Sequence, residues 1–308
     1  MDQEKSYIDL ETGERISHEQ MRLQLTAENE SIKQEQKEGY LKALDVARNI
    51  HEDKRKFLKY SRKIASELTD LTLTDCSVLL RLSMHLYYNG SGLIKSNTAH
   101  DPNNKNALTV VDMSKITGKS RRGLTQILNR LVDAEAISIT KQGKQRAAYR
   151  INERFIACGT GIDMSKNHVK LYVTKTKGLI KKMPNQKKRQ YIDMLTDTEA
   201  GILFKLMPYV HERNYMLCSN PTEKDTKKIE YMNIQELADA VGIKYKSFTN
   251  AMRGLVKLGV LGKFCSGITV SRGAAYVLNP KIVDCGYHMN KQLGGQISEL
   301  FEATENVA

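Results

Sequence analysis

The sequence predicts a mainly α fold with small β-wings: two winged helix-turn-helix domains in tandem, preceded by an N-terminal helical arm. Three observations carry that prediction. From Ile234 to Leu261, Leu237 and Val241 line one helical face, Gly242 supplies a tight turn, and Phe248, Met252 and Leu255 line the next face. The same pattern stands 124 residues earlier, with Gly118 for Gly242, Leu124 for Phe248, Leu128 for Met252, Leu131 for Leu255 and Ile137 for Leu261. After each copy comes an extended run, a polar turn and a second extended run, the pattern of a wing.

The register between the copies holds back to Leu71-Thr72, which match Leu195-Thr196. Beyond the wings it resumes at an offset of 127, pairing Tyr149 with Tyr276, Asn152 with Asn279 and Cys158 with Cys285, so the second wing is three residues longer. The expected organisation is a hairpin and arm over 1–54, one winged helix over 55–159, a second over 160–286, and a C-terminal helix or tail over 287–308. A chain of 308 residues is long enough for two modest cores.

In chain order, YIDLETGERI reads as a short hairpin around Thr12-Gly13. Residues 17–54 are rich in Glu, Gln, Lys, Leu and Ala, lack proline, and read as a long helix. It is either a solvated arm or a helix through which two chains form a homodimer. FLKYSRKIASELTDL opens the first repeat and HVKLYVTKTKGLIKKM the second; both read as helices. About twelve extra residues, including PNQKKRQYIDM, follow in repeat two before the common register resumes. A longer helix runs from Asp75 to Leu86, the helix-turn-helix from Val110 to Glu135, and strand, KQGKQR turn and strand from Ile137 to Ile151. The second wing spans Gly262 to Val277. Gly259 is suited to a left-handed cap that ends the helix before it.

Net charge is +13, unevenly spread: −5 over 1–54, +10 over each repeat, and −2 over 287–308. No apolar run approaches the ~20 residues of a membrane span, and the polar N-terminus is no signal peptide. Five cysteines without a CxxC pair argue against a disulfide framework or zinc ribbon, so the cytoplasm is the expected compartment. A basic excess matched in two copies of one module points to nucleic acid, not to a membrane surface.

The order of elements, with F-x-K-Y or V-K-L-Y first and YVLNPKIVDCG after the second wing, resembles the RepL-type replication proteins of Firmicute plasmids and related winged-helix proteins of their phages. The TGERI opening is similar as well. Those proteins look like single modules, whereas this chain carries two. The resemblance implies initiation of plasmid or phage replication. A transcription regulator built on the same module is the alternative.

Double-stranded DNA is the expected partner, on residue types alone. The second helix of such a unit enters the major groove. With Leu124 and Leu128 turned inward, the first unit offers Ser120, Arg121, Arg122, Thr125, Gln126 and Asn129; the second offers Lys244, Tyr245, Lys246, Thr249, Asn250 and Arg253. Arginine matches the paired acceptors of guanine, and glutamine or asparagine the edge of adenine. Lys141, Lys144 and Arg146 in the first wing, with Lys263 and Arg272 in the second, suit phosphate contacts. Lys187-Lys188-Arg189 would either do the same or merely solubilise a linker.

No catalytic, metal or cofactor motif emerges, and no enzyme activity is expected. The seven histidines contain no His-x-His pair, HERNY at His211 to Tyr215 has the wrong spacing for a recombinase and reads as a loop, and GTGIDMSK lacks the order of a phosphate loop. Cys158 and Cys285 read as small buried residues of the repeat core.

Overall fold

The computed structural model describes residues 6–8, 15–17, 30, 31, 34, 57–87, 93–94, 107–140, 147–158, 168–173, 195–264, 274–284, 297 and 301. The chain divides into two units, 1–54 and 55–308. In the first, β1 (Ser6–Ile8) and β2 (Arg15–Ser17) form the expected antiparallel hairpin, with Tyr7 opposite Ile16. Glu30, Ser31 and Gln34 are helical and exposed. The rest of the expected arm, and with it the dimerisation reading, lies outside the described residues.

The second unit mixes helices with small antiparallel sheets. Its first repeat holds β3 (Phe57–Ser61), α1 (Ala65–Thr69), α2 (Leu73–Ser83), α3 (Val110–Thr117), α4 (Arg121–Asp133), β4 (Ile137–Thr140), β5 (Ala148–Ile151) and β6 (Ile156–Cys158). The second repeat holds β7 (His168–Tyr172), α5 (Asp197–Leu206), α6 (Ile234–Ala240), α7 (Tyr245–Lys257), β8 (Leu261–Phe264), β9 (Ala275–Leu278) and β10 (Val283–Asp284). Helix starts are written locally. Thr72 with Asp75, Thr109 with Asp112, Thr196 with Glu199 and Asn233 with Glu236 each form a capping box that satisfies otherwise unpaired amides. Between the paired helices the chain turns on Gly118 (φ 69°) and Gly242 (φ 70°), a left-handed conformation that costs glycine nothing. Gly259 likewise takes φ 66°.

Seven residues separate β4 from β5 and ten separate β8 from β9, the three-residue difference that the shift from 124 to 127 predicts. Cys158 is buried, as expected, while Cys285 lies outside the described residues. So do the GTGIDMSK segment and Lys187-Lys188-Arg189. His211 to Tyr215 is a turn with both ends buried and Arg213 exposed at its tip, closed by the Tyr215 amide donating to the His211 carbonyl. Of the expected C-terminal helix, Ile297 and Phe301 are helical and pack on the core.

The two opening segments differ from expectation. FLKYS and HVKLY are strands, not the starts of helices. Leu58 and Tyr60 alternate inward against half-exposed Phe57 and Lys59, a period of two that suits a pleated strand. Their partner is each other: β3 and β7 run antiparallel with Lys59 opposite Lys170, and β6 and β10 flank them in the order β10-β7-β3-β6. Matched positions are therefore 111 residues apart in these strands and 124 apart from α2 onward, which puts thirteen extra residues in repeat two.

That pairing changes the domain picture. The segments 55–159 and 160–286, expected as separate domains, share one continuous core in which α2 and α5 are its most buried helices. Leu79, Leu80, Leu82, Ile202, Leu203 and Phe204 are fully buried there. Tyr60 meets Phe204 edge-on at 4.7 Å and donates its hydroxyl to the Phe204 carbonyl at 3.0 Å. Ser77 donates to Asp197 at 3.0 Å, and the matching Gly201 lies so close to Leu73 that a Cβ would collide with the Leu73 carbonyl oxygen. Arg62, buried, donates to the carbonyls of His168 and Val210 across the seam.

Two outcomes follow from this seam. Gly201→Ala overpacks against backbone that has no room to move, so it should lower unfolding stability by about 1–3 kcal/mol. Denaturation followed by probes on α4 and on α7 should show one shared transition in both parent and variant; two separate midpoints would mean two cores. The second outcome concerns acid. Burial opposes ionisation of Asp197, but hydrogen bonds from Lys119 and Ser77 and the charges of Lys119 and Arg81 outweigh it and hold the carboxyl below its ordinary range. A depressed folded pKa stabilises above the unfolded value of about 3.9 and is lost as pH falls through the folded one. The stability gap between the parent and Asp197→Asn should therefore be widest above pH ~4 and close on acidification.

Candidate functional site

Helices α4 and α7 bury one face and leave the other to solvent. In α4 the inward residues are Leu124, Ile127, Leu128 and Leu131; in α7 they are Phe248, Ala251, Met252 and Leu255. Arg121, Arg122, Thr125, Gln126 and Asn129 form an exposed polar row along α4, begun by Ser120. Ser120 has a structural task too, since its hydroxyl caps the helix by accepting from the Gly123 amide at 3.1 Å. The Thr125 hydroxyl donates back to the Arg121 carbonyl, while Arg130, one turn further, is held by the buried Asp75 carboxylate. Gln126 and Asn129 project from the same exposed side.

The outer face of α7 departs from this in detail. Lys244, Tyr245, Lys246, Asn250 and Arg253 are exposed, and Tyr245 is 48% accessible, one of two conspicuously exposed large apolar side chains among the described residues. Lys244 occupies the cap position without a capping side chain. Thr249 is half-buried, and its hydroxyl is buried without a hydrogen-bond partner among the described residues, unlike that of Thr125.

Beside Thr249 lies a cleft of about 590 Å³ between the start of α6, the outer face of α7 and the β8–β9 hairpin. Arg253, Lys257 and Lys263 bring three cations to it, and Tyr245 and Tyr276 add aromatic rings. Lys257 and Tyr276 were not among the residues expected from sequence. Lys257 was legible as the residue one turn after Arg253 on the same face; Tyr276 faces the cleft only because β9 pairs with β8 in this register, Lys263 opposite Tyr276. The matching positions in repeat one are Asn129, Asp133 and Ile139, so this concentration of charge is particular to repeat two. Ile139 there is 44% exposed. Lys141, Lys144, Arg146 and Arg272, expected to meet phosphate, lie outside the described residues.

Other chemistry-bearing side chains serve the core. Burial pushes the thiols of Cys76 and Cys218 up to about 12, leaving them as buried thiols instead of nucleophiles. His211 is fully buried, with a ring nitrogen 2.9 Å from the Glu223 carbonyl oxygen. Among the described residues no three His, Cys, Asp or Glu side chains cluster to hold a metal ion, and no helix is long and apolar enough to cross a membrane. Comparison of the chain with protein-family models, curated proteins and solved structures returned no match.

The orphaned Thr249 hydroxyl gives a direct test of how this surface is built. A buried donor without a partner costs stability, so Thr249→Val, which keeps the shape and removes the hydroxyl, should leave thermal stability unchanged or raise it by up to about 1 kcal/mol. A clear loss would mean that the hydroxyl has a partner within the folded chain.

Proposed function

We propose that this chain binds double-stranded DNA with sequence preference, as two tandem winged helices that use no cofactor. Helices α3–α4 and α6–α7 are the two helix-turn-helix units, α4 and α7 the reading helices, and the hairpins β4–β5 and β8–β9 the wings. The observation that carries this reading is the pair of outer faces on α4 and α7. Each is exposed, Thr249 of α7 apart, and dressed with Arg, Gln, Asn or Lys, the side chains whose donors and acceptors match base edges. A solvated helix would show alternating charge with Glu and Asp, whereas acidic residues are missing from both outer rows until Asp133. The cationic cleft of repeat two suits a phosphate run beside the groove that α7 would enter, which accounts for three lysine or arginine side chains in one place.

Replication initiation for a plasmid or phage is the biological role we favour, on the likeness to RepL-type proteins. Mapping the bound DNA and asking whether a fragment carrying those sites replicates only when the protein is supplied tests it. Sites that overlap a promoter, on fragments that do not replicate, would replace initiation with transcriptional regulation.

Binding itself is tested by salt. Affinity should fall steeply with rising salt, and replacing Arg253, Lys257 and Lys263 with alanine should flatten the log–log slope by roughly 0.9 for each phosphate no longer neutralised, weakening all sequences about alike. An unchanged slope would remove the cleft from the interface.

A further inference from the structure

We infer that one chain reads two unlike half-sites in inverted orientation at a single fixed spacing, an inference that rests on the DNA-binding reading above. Duplication alone leaves the orientation open: two tandem modules on a linker bind direct or inverted repeats equally well. The seam removes that freedom, because its contacts are reciprocal in the manner of a twofold axis.

Strands β3 and β7 pair antiparallel about Lys59 and Lys170, which are matching positions in the two repeats. The flanking strands repeat the relation, with Ile156 opposite Tyr60 on one side and Val283 opposite Leu171 on the other. Between the helices, Ser77 faces Asp197 while its counterpart Gly201 faces Leu73, the counterpart of Asp197. Residue i of one repeat meets residue j of the other, and j meets i. A translation or screw could not produce this.

Both helix-turn-helix units border the same seam. Lys119, in the turn between α3 and α4, is paired with Asp197 at the start of α5. On the other side Lys205 donates to the Val241 carbonyl at the end of α6 and to the Thr69 carbonyl of repeat one. A twofold rotation placed between two reading helices reverses one relative to the other. The strands of a duplex are related by the same operation, so the two helices meet matching groove edges only on half-sites that point in opposite directions. Since the axis runs through a packed core and not a linker, the separation of the helices is fixed. The half-sites differ because the faces differ: Arg121 stands where Tyr245 does, and Asn129 where Arg253 does.

The test uses the full chain and a random duplex pool. The enriched sequence should hold two unlike blocks, one relaxed by Arg121→Ala and the other by Asn250→Ala. Synthetic duplexes then carry the blocks inverted as selected, with one block reversed, or with an insertion of half a helical turn, about 5 base pairs. The inverted site should bind at least about tenfold more tightly than either altered duplex, since each of those leaves one helix without its bases. Giving α7 the outer residues of α4 (Tyr245→Arg, Lys246→Arg, Asn250→Gln and Arg253→Asn) should make the two selected blocks alike and inverted. Like blocks enriched as direct repeats, or affinity indifferent to the insertion, would overturn the twofold reading while leaving DNA binding intact. A pool from which no duplex is enriched would overturn DNA binding itself.

Discussion

The structure depends on the antiparallel meeting of β3 and β7. Each is a five-residue strand with apolar side chains to bury, and alone each would present an edge of unpaired amides and carbonyls. Joining the two edges satisfies both rows and draws the rest of each repeat into one core. The helices that follow, α2 and α5, then cross at the same axis and are buried on nearly all sides. A helix buried all round has no solvent face on which to place charge, and both are accordingly short and mostly apolar. What duplication produced is therefore better described as one pseudo-symmetric body than as two beads.

Two exceptions to that apolar character are cations at matching positions. Arg81 and Lys205 are both buried, and both reach across to the other repeat, Arg81 to the Leu195 carbonyl and Asp197, Lys205 to the Thr69 carbonyl. Burial lowers the pKa of each, with Asp197 opposing the shift on Arg81 and the carboxylates of Asp70 and Asp75 opposing it on Lys205. Buried cations of this kind contribute little net stability, because desolvation offsets most of the attraction. Their effect is on register: a slip at the seam would strand a charge without its acceptors.

Around that fixed frame the copies have diverged. In repeat one Asp75 grips Arg130, tying α4 to α2. The matching pair in repeat two is Glu199 and Gly254, and there the longer carboxylate occupies the space that a side chain at 254 would need. One copy thus anchors its outer helix by an ion pair and the other by close approach. The outer faces have moved further apart still, with a cationic, tyrosine-lined cleft in repeat two where repeat one carries Asn129, Asp133 and Ile139.

The sequence by itself determined everything local. Helix α3 and helix α6, their turn glycines, the inward faces Leu124–Leu128–Leu131 and Phe248–Met252–Leu255, and even the three-residue difference between the hairpins follow from short-range spacing and capping chemistry. The exposed rows on α4 and α7 were legible for the same reason, since a helix of known register fixes which residues face out. Only the tertiary structure decided that FLKYS and HVKLY are strands. Five residues of alternation are too few to exclude a helix, and the partner that settles the matter lies 111 residues away. It also decided that the repeats share one core, that Gly201 must lack a side chain, and that Lys257 and Tyr276 join Arg253 in one cleft. Each of these is a contact between segments far apart in the chain, and no periodicity within either segment encodes its partner.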